Sequence, residues 1–177
     1  MLYSEMRATA KTGDVILVEG RSFVSRLIRG ATGQSISHVG MLMWLGDGNL
    51  FMPEQREFKA FRLSRASDRL QQDMRDCRVY YGAAPLQVRE WIDAHDDELV
   101  EAVFATRNGR YGYLELGSVL WSQWTQRDSR SKRLVCSTWV QRLWELSDWR
   151  YPQAPDPGDY LDACSSVHSL DLREFYR

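Results

Sequence analysis

Cys136 and His38 are the residues of this chain whose surroundings favour chemistry. The stretch Leu134-Val135-Cys136-Ser137-Thr138-Trp139-Val140 sets a thiol at the start of a helix, where the positive end of the helix dipole favours a thiolate. The stretch Gln34-Ser35-Ile36-Ser37-His38-Val39-Gly40-Met41-Leu42-Met43-Trp44 sets an imidazole at the mouth of an apolar β-type run, held firmly with one ring nitrogen accessible. Together they make a nucleophile and its base, the core of a cysteine hydrolase or acyl transferase. Such a site also needs a group that orients the base and donors for the oxyanion. Glu54, just past Pro53 on the strand returning from the histidine run, is the candidate third group, with Gln55 and Glu57 as neighbouring substitutes. The remaining cysteines are poorer nucleophiles, Cys77 lying in a charged segment and Cys164 near a helix end. His95, beside Asp93, Asp96 and Asp97, and His168, near the C-terminus, read as ordinary surface histidines.

The elements that must position these residues follow from periodicity and turn chemistry. Asp14-Val15-Ile16-Leu17-Val18 reads as a buried strand entered through Gly13. From Ser22 to Arg29 a helix places Phe23, Leu27 and Ile28 on one face and Arg26 and Arg29 outside, with Gly30 and Gly33 as its stop. The histidine strand runs to Leu45, Gly46-Asp47-Gly48-Asn49 turns the chain, and Leu50-Phe51-Met52 returns antiparallel. Phe58 to Leu63 is a further strand, Ser67 to Asp76 a solvated turn or short helix, and Arg78 to Tyr81 a strand. Pro85 opens a helix carrying Trp91, Ile92, Leu99 and Val103, interrupted near Asp96-Asp97 and ended by Asn108-Gly109. Leu114 to Trp124 reads as an amphipathic helix, and Gln126 to Arg133 as a solvated loop with four basic residues. Ser137 to Leu146 carries Val140, Leu143 and Trp144 on one helical side. Asp156 caps a short last helix, and the final strand is expected within Val167 to Arg177.

A length of 177 residues with 44% hydrophobic and 27% charged content suits one soluble domain, residues 1-177, with a sizeable core. The net charge of -1 gives no argument for nucleic acid as a partner. Three cysteines cannot all pair and have no zinc or redox spacing, which favours a reducing compartment or at least a chain that does not need disulfides. The N-terminus is not a signal peptide, and no apolar run approaches the ~20 residues that span a bilayer. The chain is therefore expected to be cytoplasmic as synthesised, with a phage or secretion machine as its route elsewhere. No Walker loop, dinucleotide fingerprint or metal-ligand cluster appears, so neither cofactor nor metal is expected.

Several segments, taken in order, resemble a known family. Thr12-Gly13-Asp14-Val15-Ile16-Leu17, Ser25-Arg26-Leu27-Ile28-Arg29 and Ile36-Ser37-His38-Val39-Gly40-Met41 look like the opening of the permuted papain-like cysteine amidases. Tyr111-Gly112-Tyr113 and Val135-Cys136-Ser137 look like that group's aromatic and nucleophile segments. This is the YiiX-like and lecithin:retinol acyltransferase-like branch, related to the NlpC-type cell-wall peptidases, in which the histidine precedes the cysteine as it does here. The resemblance implies an α+β fold, a circularly permuted papain-like antiparallel sheet packed against helices. It further implies Cys136 as nucleophile, His38 as base, Glu54 as orienting carboxylate, the Cys136 N–H as first oxyanion donor, and a peptide or acyl-amide substrate of cell-wall type. Where the family pattern places a small residue after the acid, this chain has Gln55. A lipid acyltransferase or thioesterase using the same dyad, with Trp121, Trp124, Trp139 and Trp144 lining an acyl channel, is the second reading. A non-enzymatic binding module with Arg127 to Arg133 as its contact surface is the third.

Overall fold

The computed structural model describes residues 1–46, 48–56, 60–106, 136–151 and 155–176. The apolar runs of the sequence become two antiparallel sheets. In the first, β1 (Val15–Glu19) lies between β2 (His38–Met41) and β6 (Arg78–Ala83), and β6 pairs in turn with β7 (Ser166–Ser169). In the second, β3 (Met43–Leu45), β4 (Asn49–Arg56) and β5 (Ala60–Arg65) follow one another as a meander. The helices among the described residues are α1 (Tyr3–Thr9), α2 (Phe23–Thr32), α3 (Ala66–Asp68), α4 (Leu86–Ala94), α5 (Asp96–Ala105), α6 (Cys136–Trp144) and α7 (Tyr160–Ala163).

The expected histidine strand is shared between the two sheets, because Leu42 turns its peptide to β1. Its N–H donates to the Asp14 carbonyl at 2.6 Å, and its own carbonyl accepts from Gly13 at 2.9 Å. The bend lets β4 lean over β2 at Gly40. A Cβ on Gly40 would run into the Met52 terminal methyl and stand 3.4 Å from the Glu54 Cβ, so the missing side chain makes room for this approach.

Alternation along β1 divides the core. Val15 and Leu17 face Val39 and Met41 together with Trp139, Val140, Leu143 and Trp144 of α6 and the apolar residues of α4 and α5. Ile16 and Val18 face Leu42, Met52, Leu70, Val79, Tyr81 and Met6 of α1. Each such fully buried side chain contributes about 1.5–3 kcal/mol relative to its exposed state. The break near Asp96 is present, at His95 between α4 and α5.

Several expectations need correction. Gly30 lies within α2, and Gly33, at φ 70°, is the residue that ends it. Phe23 and Leu27 do not share a buried face with Ile28; they are 67% and 51% exposed, and the buried residues of α2 are Ser25 and Ile28. Ser67 to Asp76 is not simply solvated. α3 runs on into a π-helical turn, Arg69–Asp73, whose Arg69 and Leu70 are buried, as is Met74 beyond it. After β7 the chain forms a short 3-10 turn, Leu172–Tyr176, in place of further strand. Asn108-Gly109, Tyr111 to Tyr113, Leu114 to Trp124 and Gln126 to Arg133 lie outside the described residues.

Candidate active site

Ser37 fixes where β2 begins. Its N–H donates to the Val18 carbonyl at 2.9 Å and its Oγ accepts from the Gly20 N–H at 3.0 Å, locking His38 in register beside Val18. His38 Nε2 lies 2.6 Å from Glu54 Oε2. A carboxylate only accepts, so Nε2 carries the proton and Nδ1 is left to face the Cys136 sulfur. Glu54 has no exposed surface, and it is held from its other side by Arg69. The guanidinium donates from Nε to Oε1 at 2.6 Å and from Nη2 to Oε2 at 3.2 Å, and reaches on to Asp73 at 3.1 Å. This fork is the bidentate geometry in which arginine matches a carboxylate best.

The same arrangement shifts the pKa values of the pair. Burial acts to lower the His38 pKa, but the Cys136 sulfur, by charge and a side-chain hydrogen bond, and then Glu54 raise it from 6.5 to about 10. Burial acts to raise the Glu54 pKa, but the hydrogen bond and charge of His38, and then those of Arg69, lower it from 4.5 to about 2. The site therefore favours the protonated imidazole beside the Glu54 carboxylate.

Cys136 is the first described residue of α6 and is 5% exposed. Two contacts seat this end of the helix: the Tyr160 hydroxyl donates to the Ser137 carbonyl at 2.7 Å, and Trp139 Nε1 donates to Thr106 Oγ1 at 2.9 Å. Beside His38 opens a cleft of about 310 Å³, whose walls include Arg21, Ser22, Ser25, Ser37, Arg69 and Cys77.

The structure thus brings Cys136, His38 and Glu54 together and leaves the other candidates apart. Cys164 sits against Gly82, where burial, followed by the charge of Asp14, pushes its thiol up to about 12. His95 stacks on Trp91 at 4.7 Å and donates through Nδ1 to the Trp91 carbonyl; His168 stacks on Tyr81 at 6.4 Å. Gln55 is buried next to Glu54 but has no hydrogen bond to His38, and Glu57 lies outside the described residues. Arg69 is the residue that the sequence reading missed. Its signal was the spacing of Ala66, Leu70 and Met74, four apart, which marks a buried helical side in an otherwise charged segment.

No protein-family model and no curated protein matches the sequence. Among solved structures, the chain is similar in fold to the crystal structure of metalloprotein yiiX from Escherichia coli O157:H7, with a TM-score of 0.52 and 19% sequence identity. The match covers 77% of this chain and 66% of that one, so this chain spans a little under two thirds of its neighbour's length. At that identity the likeness is one of fold: α+β, with antiparallel sheets packed against helices. The described residues of this chain do not fit a metal centre. Both Glu54 oxygens are already engaged, and no group of three His, Cys, Asp or Glu side chains converges on one point among the described residues.

Proposed function

We propose that this chain is a thiol hydrolase of the permuted papain-like superfamily, a single catalytic domain over residues 1–177, that cleaves an amide bond through an acyl-enzyme on Cys136. The observation that carries this reading is the imidazole held between the thiol of Cys136 and a fully buried carboxylate 2.6 Å away. Nδ1 of His38 takes the thiol proton, the thiolate attacks the carbonyl carbon, and the imidazolium returns the proton to the departing amine. Glu54 fixes the productive tautomer and stabilises the imidazolium, and Arg69 fixes Glu54. Water, deprotonated by the same histidine, then releases the acid. The resemblance to the YiiX-like and NlpC-type branch makes a cell-wall-type peptide the substrate class.

Site-resolved alkylation with limiting iodoacetamide at mildly acidic pH tests the pair. Cys136 is expected to react ahead of Cys77 and Cys164, and to lose that advantage in His38→Ala. Equal labelling of all three, unchanged by the substitution, would sink the hydrolase reading.

One observation favours acyl transfer from a lipid as a second reading: Phe23 and Leu27 stand exposed on α2, whose Ser25 lines the cleft. Trp139 and Trp144 give it no support, since both are fully buried core residues, and Trp121 and Trp124 lie outside the described residues. Appearance of the acyl group on an added amine, in place of free acid, distinguishes transfer from hydrolysis.

A further inference from the structure

An acyl-enzyme passes through a tetrahedral intermediate whose oxyanion needs more than one donor, and the Cys136 N–H supplies only one. Gln55 follows Glu54 on β4, so its side chain leaves the opposite face of the strand. That face is the one α6 packs on. Phe61, the register partner of Gln55 on β5, has its ring 6.3 Å from Trp139, one turn into the Cys136 helix. β4 leans over β2 at Gly40, and the neighbouring Val39 shares a buried cluster with Cys136 and Trp139.

The amide of Gln55 is 1% exposed, and neither its nitrogen nor its oxygen has a hydrogen-bond partner. A buried amide with both ends unpaired is costly, and an apolar side chain of the same shape would suit this place better for stability alone. The residue is therefore poorly explained as packing. Its donor is well explained if an acceptor arrives with the substrate.

We infer that Gln55 is a catalytic residue whose Nε2–H is the second oxyanion donor for acyl transfer to Cys136. The inference rests on the hydrolase reading given above. With an activated ester, the Cys136 thiolate forms an S–C bond while the carbonyl π pair moves onto oxygen, where the Cys136 N–H and Gln55 Nε2–H receive it. The oxyanion then collapses, re-forming the carbonyl and breaking the C–O bond to the alcohol, which departs as p-nitrophenolate when the ester is p-nitrophenyl acetate. Iodoacetamide reacts with the same thiolate by displacing iodide at a saturated carbon, and no oxyanion forms.

The two reagents therefore separate the roles. In Gln55→Met, which keeps the volume and removes the amide, the burst of p-nitrophenolate is expected to slow by about 100-fold. Alkylation of Cys136 keeps its native rate, and the melting temperature rises. A native acylation rate overturns the inference, as does an equal loss in both reactions, which marks Gln55 as a packing residue. If the methionine variant does not fold, the same ratio is read in Gln55→Leu, which also removes the donor; a native ratio there also overturns it. Failure of the unsubstituted protein to react selectively at Cys136, or to be acylated at all, removes the hydrolase reading and this inference with it.

Discussion

At the scale of single residues the site is a chain of charges, each held by the next. Arg69 grips Glu54, Glu54 grips His38, and His38 faces the Cys136 sulfur. Removing one partner of a buried pair strands the other without compensation. Arg69→Ala is accordingly expected to destabilise the fold by about 3–5 kcal/mol, read from urea unfolding, and to slow alkylation of Cys136 as Glu54 loses its position. Cys136→Ala removes the two largest influences that raise the His38 pKa. In a proton NMR titration the His38 ring should then titrate closer to the ordinary 6.5 than to the value of about 10 in the unsubstituted protein. An unchanged titration would mean that the sulfur does not face the ring.

Three elements set the distances that the chemistry needs: the bent strand that passes from β2 to β3, β4 leaning across it at Gly40, and α6 packed beneath. α6 is tied to the start of β1 through Trp144, whose Nε1 donates to the Gly13 carbonyl at 3.0 Å while its ring meets Tyr160 edge-on at 5.2 Å. Trp144→Phe keeps much of the apolar contact and leaves that buried carbonyl unpaired. A loss of about 1–3 kcal/mol in denaturant unfolding is expected from the stranded group. The deletion of ring area adds to it.

For the whole molecule, the two shifted groups predict how stability depends on pH. Glu54 is lowered from 4.5 to about 2, so its contribution is complete above 4.5 and is lost as pH falls through about 2. His38 is raised from 6.5 to about 10, so its contribution is complete below 6.5 and is lost as pH rises through about 10. Both act in full between 4.5 and 6.5, and the urea midpoint should be highest there. His38→Ala should flatten the alkaline limb, and a slope unchanged between pH 6.5 and 10 would count against the assignment. No helix among the described residues is long and apolar enough to cross a membrane.

Local rules in the sequence were enough to place β1, the turn between β3 and β4, the helix opened after Pro85 and the helix that follows Cys136. Each is written in neighbouring residues: alternation, a glycine turn, a proline that sets its own φ, an apolar spacing of three and four. Order along the chain was likewise enough to select Cys136, His38 and Glu54 as candidates. What folding alone decided were contacts between segments that share no local pattern. The exposure of Phe23 and Leu27 depended on which side of α2 the fold buries, the side of Ser25 and Ile28. The burial of Arg69 depended on a carboxylate fifteen residues earlier in the chain. The solitary amide of Gln55 depended on β4 turning Glu54 to one face and its neighbour to the other. Periodicity shows that an element has an apolar side, but the partner that meets each side chain is set by tertiary packing, and at this site the partner determines the chemistry.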